Sequence, residues 1–296
     1  MLVKHIKRVI KNNHILYKIA KKAKFRYQDM FYSAPSMLEG ERTVFRAIYS
    51  QCDVIFDVGA RYDVDYIEIS KGNSINYHLF EINPKFFRIL EKNIKKYENT
   101  ENIIINNVGI AERDGSAHYY NDSQSILQNT TSVLNSAEKS KFKYPLRSIS
   151  NYCAELGLKK IDFLKTDIEE YDFFALLGAQ DLLFTMKYIQ FELGLGADYL
   201  DRKVTARDYF DLLENNYSLY IVKDENNPLW KTNSIIADLV TIDDDFLKSK
   251  LSQGKYGIGY NILAINKEIN VRDLNLTITN FQQAKYEEII ENFMKL

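Results

Sequence analysis

The chain has 296 residues, 46% hydrophobic and 27% charged, with a formal net charge of −1. That is a globular composition, long enough for one large core or two small ones, and it excludes a protein drawn to nucleic acid by its overall charge. No apolar run approaches the roughly 18 residues of a membrane span; Cys52 and Cys153 lie far apart without a C-x-x-C pair and read as buried thiols in a reducing compartment.

The first segment differs from the rest. From Met1 to Gln28 there are nine Lys or Arg and no Asp or Glu. Leu2, Ile6, Val9, Leu16, Ala20 and Ala23 recur near helical spacing, so a basic amphipathic helix is expected, as part of an N-terminal extension over residues 1–48. It reads either as a docking helix with a solvated face or as peripheral contact with an anionic membrane surface. It lacks an apolar h-region, so a secretory signal is not expected and the cytoplasm is the expected location. Outside residues 1–28, 40 acids face 30 bases, which also argues against a nucleic-acid partner.

From residue 53 short apolar strands alternate with helices. Asp53–Gly59 reads as a buried strand ending in a turn, and Tyr77–Glu81 as the next. Asn83 and Pro84 predict a helix start, since Asn caps and Pro suits the first helical position. Phe86, Leu90, Ile94 and Tyr97 give that helix its apolar face. Ile103–Ile105, Ile161–Lys165 and Lys187–Glu192 predict three further strands. A helix through Phe173, Phe174 and Leu177 stops near Gly178, and Thr205 caps another containing Tyr209, Leu212 and Leu213. Leu219–Val222 and Asn261–Ile265 complete a mostly parallel, seven-stranded, doubly wound α/β sheet over residues 49–266. Residues 115–150 are polar and read as an insertion over the sheet's carboxyl edge. Residues 267–296 form a tail closing with a helix through Phe281, Ile289, Ile290 and Phe293.

Ligands of such sheets bind beyond the carboxyl ends of the strands, where strand order reverses. The first strand ends in Asp57-Val58-Gly59-Ala60-Arg61. Gly59 permits a tight turn, and Asp57 sets a carboxylate beside it. Glu81 ends the second strand, 24 residues on, where an acid can accept hydrogen bonds from ribose hydroxyls. This order favours a nucleoside cofactor. No G-x-G-x-x-G follows to seat a pyrophosphate. Asp57 suits an ammonium group better than a phosphate, so S-adenosylmethionine is favoured over NAD.

Five segments carry a family resemblance. Ile55–Ala60, Phe80–Pro84, Asn107–Gly115, Ile161–Glu169 leading into Leu176–Ala179, and Gln190–Glu192 together resemble the FkbM methyltransferases. Thr131-Ser132-Val133 falls where that family has a small-hydroxyl pair. The resemblance covers about residues 50–265. It implies a class I, Rossmann-like methyltransferase fold, an O-methyltransferase activity, and a sugar hydroxyl of a surface glycan or secondary metabolite as acceptor. It implies cofactor contacts at Asp57, Gly59, Ala60, Arg61, Glu81, Ile82, Asn107 and Val108.

Asp167, Glu169 and Glu192 are the candidate bases, with Asp167 foremost because it follows the fourth strand. A general base removes the hydroxyl proton as the new bond forms. Three acids close together would raise a carboxylate pKa toward that task. The same residues can instead cap and charge the start of the following helix. No histidine completes a metal-ligand pattern, so no metal is expected. His118 could meet an acceptor; His78 reads as a core residue. Arg61, Asp63 and Glu170 stand where the family has Asn, Gly and Gly. They leave open a second reading, a binding or scaffold protein on the same fold.

Overall fold

The computed structural model describes residues 37–97, 100–118, 143–168, 171–193, 204–224, 237–242 and 260–279. The expected basic helix of residues 1–28, Thr131-Ser132-Val133, Glu169, Glu170 and the closing helix of the tail lie outside the described residues.

In chain order, α1 (Glu39–Ile48) leads into β1 (Val54–Val58), α2 (Asp65–Ile69) and β2 (Asn76–Phe80). Then come α3 (Pro84–Ile94), β3 (Ile103–Asn106), β4 (Gly109–Ile110), β5 (Gly115–His118), β6 (Lys143–Arg147) and α4 (Ile149–Leu156). The second half holds β7 (Phe163–Thr166), α5 (Asp172–Gly178), β8 (Tyr188–Leu193), α6 (Ala206–Leu213) and β9 (Tyr217–Val222). It ends with β10 (Leu239–Thr241), β11 (Tyr260–Asn266) and β12 (Ile278–Thr279).

Nine strands form one sheet in the order β12-β10-β9-β11-β8-β7-β1-β2-β3. β3, β2, β1, β7 and β8 are parallel, while β11 runs antiparallel between β8 and β9. The expected seven strands are all present. The expected count is corrected by β10 and β12, which extend one edge. They have three and two residues, too few to show a periodicity of their own. A second sheet, β4-β6-β5, takes both of the described strands inside the expected insertion.

Register decides which residues share a face. Ile55, Tyr77, Phe163, Tyr188 and Ile265 meet α1 on one face; Phe56, Leu164, Ile189 and Phe191 meet the α4–α6 side on the other. Residues 39–48, grouped by sequence with the N-terminal extension, pack here: Val44, Phe45 and Ile48 are fully buried against the sheet. Gly40 allows this docking, because a Cβ there would sit 1.8 Å from the Lys223 carbonyl oxygen.

Local signals hold where they are stereochemical. Asn83 Oδ1 accepts from the Lys85 amide at 2.9 Å, capping α3, with Pro84 at its first position. Asp208 accepts from the Thr205 amide at 2.6 Å at the start of α6. Among the described residues, no helix is long and apolar enough to cross a membrane.

Candidate active site

The strand order reverses between β1 and β7, which opens a crevice beyond their carboxyl ends. Asp57, at the end of β1, lies across from Lys165 of β7, and Lys165 across from Gln190 of β8. The three side chains therefore form a polar row on the α1 face. Asp57, Gly59, Ala60, Arg61, Asp63 and Asp167 line a cavity of about 70 Å³, together with Met37, Glu41, Tyr66 and Lys165.

The turn after β1 is tightly built. Gly59 has φ +86°, and a Cβ there would lie 2.2 Å from the Asp167 carbonyl oxygen. Only glycine satisfies both conditions. The amides of Gly59 and Ala60 both donate to the Phe80 carbonyl, at 2.9 and 3.1 Å. Arg61 follows with φ +53°, a left-handed conformation that Asn tolerates better than Arg. Its amide donates to Glu81 Oε2 at 2.8 Å, and its guanidinium lies over the rings of Tyr62 and Phe86. Asp63 Oδ1 accepts from the Asp65 amide at 2.8 Å, ahead of α2, so the acid replacing the family's glycine makes a local turn bond.

Glu81 is buried, and its Oε1 accepts from the Asn83 amide at 2.6 Å. Each oxygen keeps a further lone pair. Burial pushes the carboxyl up to about 7, against the two backbone bonds and Arg61. Asn107 Nδ2 donates to the carbonyls of Glu81 and Ile82, at 2.7 and 3.2 Å, and so fixes the chain after β2. The Ile82 side chain packs over Gly109, and Val108 packs against the core of the α4–α6 face.

Lys165 is the charge at the centre. Its Nζ lies 3.1 Å from Asp167 Oδ2 and 3.7 Å from Asp57 Oδ1. Burial disfavours its charge, but Asp167 and Asp57 outweigh that and hold it protonated. Asp57 is 2% exposed, and its Oδ1 has no hydrogen-bond partner among the described residues. Burial raises its pKa to about 7, with Lys165 opposing.

Of the expected bases, Glu169 lies outside the described residues, and Asp167 meets a cation. Burial works to raise the Asp167 pKa, but Lys165 prevails and holds it below the usual value. The expected upward shift is corrected: the partner of Asp167 is a cation. Nor does Asp167 cap α5. That helix begins at Asp172, whose Oδ1 accepts from the Ile168 amide at 3.2 Å. Glu192 is half-buried on β8, and it and Asp167 both act electrostatically on Asp172. Asp172 is fully buried, and burial pushes its pKa well above the usual carboxylate range.

Lys165, Glu41, Tyr66 and Asp172 are site residues that the sequence reading did not single out. For Lys165 a signal existed, a lysine inside an otherwise apolar strand. His78 is buried as expected, its Nδ1 2.8 Å from the Tyr152 hydroxyl, and burial lowers its pKa to about 4.

Parallel strands β3-β2-β1-β7-β8, an antiparallel β11 between β8 and β9, a glycine turn after β1 and an acid after β2 define a class I methyltransferase. A family model described as the methyltransferase FkbM domain matches residues 57–219, and the chain belongs to that family. It is an enzyme that uses S-adenosylmethionine.

No curated protein matches the chain. Among solved structures, it is similar to the O-methyltransferase of a trans-AT polyketide synthase multienzyme from Brevibacillus brevis, in complex with S-adenosyl-L-homocysteine. The identity is 9%, over 97% of this chain and 89% of that chain, with a TM-score of 0.41. It is also similar to a precorrin-6y C5,15-methyltransferase from Geobacter metallireducens, with 14% identity, 75% and 86% coverage and a TM-score of 0.36.

Proposed function

We propose that the enzyme is an O-methyltransferase acting on a small-molecule or glycan hydroxyl, with a sugar of a surface glycan or secondary metabolite as acceptor. The observation that carries the site assignment is the buried Asp57 Oδ1, which faces Lys165 Nζ at 3.7 Å but receives no hydrogen bond among the described residues, beside the Gly59 turn. The donor set fits the cofactor. Asp57 would accept from the ammonium of its amino-acid end, the backbone at Gly59, Ala60 and Arg61 would line that end, and Glu81 would receive the ribose hydroxyls. Ile82, Asn107 and Val108 support this end: Asn107 holds the Glu81 and Ile82 carbonyls in place.

Bound there, S-adenosylmethionine supplies an already activated methyl group. The chain's part is then mainly alignment and exclusion of water. Asp167, held ionised by Lys165, accepts a hydrogen bond from the acceptor hydroxyl and orients its oxygen. A carboxylate so stabilised takes a proton poorly, so Asp167 orients more than it deprotonates. Glu192, at the end of β8, is the second acid on this edge. The basic segment 1–28 suits an anionic or membrane-attached acceptor, and the working location we propose is the cytoplasm.

The test is methyl transfer from isotopically labelled S-adenosylmethionine to a panel of sugar nucleotides and glycans, read by mass spectrometry. We expect an alkali-stable methyl ether on a sugar, and a rate at least tenfold lower for Asp167→Asn. Label found only on amine or nucleic-acid acceptors would sink the reading.

A further inference from the structure

Asp172, the first residue of α5, is a fully buried acid on the α4–α6 side of the sheet. Its carboxyl reaches back out of the helix: Oδ1 accepts from the Ile168 amide, four residues earlier, at 3.2 Å. Oδ2 has no hydrogen-bond partner among the described residues. A carboxyl buried in that condition is costly to the fold, and an aliphatic side chain would bury there at less cost. Nor does helix capping explain it. Burial pushes its pKa well above the usual range, which disfavours the charge that a helix dipole would hold. What the residue supplies is an acceptor for the Ile168 amide.

That amide belongs to the turn after β7, and the turn meets the loop after β1 directly. A Cβ at Gly59 would lie 2.2 Å from the Asp167 carbonyl oxygen and 2.9 Å from Ile168 Cγ2. Gly59 therefore rests on the Asp167 backbone and the Ile168 side chain with no space between. The Asp167 amide donates to the Val58 carbonyl at 2.9 Å, and the Asp167 carboxylate meets Lys165 Nζ at 3.1 Å. Those two ties hold the Asp167 end of the turn to β1 and β7. Asp172 holds the Ile168 end, from the opposite side of the sheet.

We propose that Asp172 is a positioning residue for the cofactor: its bond to the Ile168 amide fixes the turn on which Gly59 rests, and so keeps the loop after β1 in its binding shape. The proposal rests on the placement of the cofactor's amino-acid end beside Asp57 and Gly59. Asp172 acts through Ile168 and Asp167 rather than on the cofactor itself. The largely apolar α4–α6 face thereby supports the site on the α1 face. Loss of the acceptor leaves the Ile168 amide unpaired, and the turn shifts to find it a partner. Gly59 then loses its backing.

The experiment is calorimetric titration of the full chain with S-adenosylmethionine and S-adenosylhomocysteine, with urea denaturation of each variant alongside. Asp172→Ala is expected to bind both ligands about fivefold or more weakly than wild type. Asp172→Asn keeps an oxygen for the Ile168 amide and is expected to stay within about twofold of wild type. Phe210→Ala, which loosens the same face without touching the turn, is expected to stay within about twofold as well. Lost stability alone then does not move the affinity. Asp172→Ser, whose shorter side chain falls short of that amide, takes the place of Asp172→Ala if the latter does not fold. Wild-type affinity in the alanine or serine variant would overturn the positioning role and leave the cofactor site standing. So would an equal loss in Asp172→Asn or in Phe210→Ala. Binding of neither ligand by folded wild-type protein would overturn the site assignment as well.

Discussion

At its carboxyl edge the sheet presents two different chemistries. On the α1 face the row across β1, β7 and β8 reads Asp57, Lys165, Gln190; one residue further along each strand, on the α4–α6 face, it reads Val58, Thr166, Phe191. The first row is ionic and largely buried, joined by buried Glu41 and by Asp167, which is half-exposed. The second is apolar but for Thr166, and Phe191 stacks on Tyr209 of α6 at a ring distance of 4.9 Å. One face is thus built to hold charge out of water and the other to exclude water. A buried ion pair adds little net stability, because desolvation offsets attraction. Its presence points to a task other than holding the fold, and the Asp57 oxygen that receives no hydrogen bond among the described residues marks where that task lies.

The comparison can be broken from either side. Lys165→Met removes the cation that balances Asp57 and Asp167, and should cost about 3 kcal/mol in urea denaturation and change S-adenosylmethionine affinity by about tenfold or more. A variant as stable as wild type would mean that the ionic row is not electrostatically coupled. Phe210→Ala, in the fully buried apolar face, should cost a similar ~3 kcal/mol but leave cofactor affinity within about twofold. Equal damage to binding by both substitutions would erase the distinction between the faces.

A smaller effect follows from protonation. Asp57 takes up its proton near pH 7 in the fold, against an ordinary value of 3.8. Between those values the folded state holds more protons than the unfolded state, so this group's contribution to stability is lost as pH rises toward 7. Denaturation midpoints should therefore show Asp57→Asn gaining on wild type between about pH 4 and pH 7, then levelling. A difference that stays flat across that range would contradict the burial of an unsatisfied carboxyl there. The smallest effect belongs to Arg61. Arg61→Asn keeps the amide bond to Glu81 and relaxes a left-handed backbone, so it should stabilise by about 0.5–1 kcal/mol in the same assay.

The same two faces explain what could be read from sequence. The apolar strands, the Asn83-Pro84 start of α3 and the Thr205 start of α6 are local signals, and each stands where expected. Gly59 and Glu81 were legible because a turn and a strand end each demand a residue type. Of the ionic row, Asp57 alone was expected, and the assembly was not. Glu41, Asp57, Lys165 and Gln190 are scattered over 150 positions of chain, and only the crossover from β1 to β7 and the docking of α1 bring them together. Asp167 shows a different limit: its acidic neighbours suggested a raised pKa, whereas Lys165, two residues before it in the chain, turns its ammonium to Asp167 and lowers it. The short β10 and β12 carry too few residues for a period to appear.

The most direct measurement of the central claim is the affinity of Asp57→Asn for S-adenosylmethionine, by calorimetry at pH 8, with circular dichroism confirming the fold. The substitution keeps shape and volume and removes only the charge. Wild type is expected to bind, and the variant to lose at least tenfold in affinity. Unchanged affinity in a folded variant would contradict it and move the cofactor away from the end of β1.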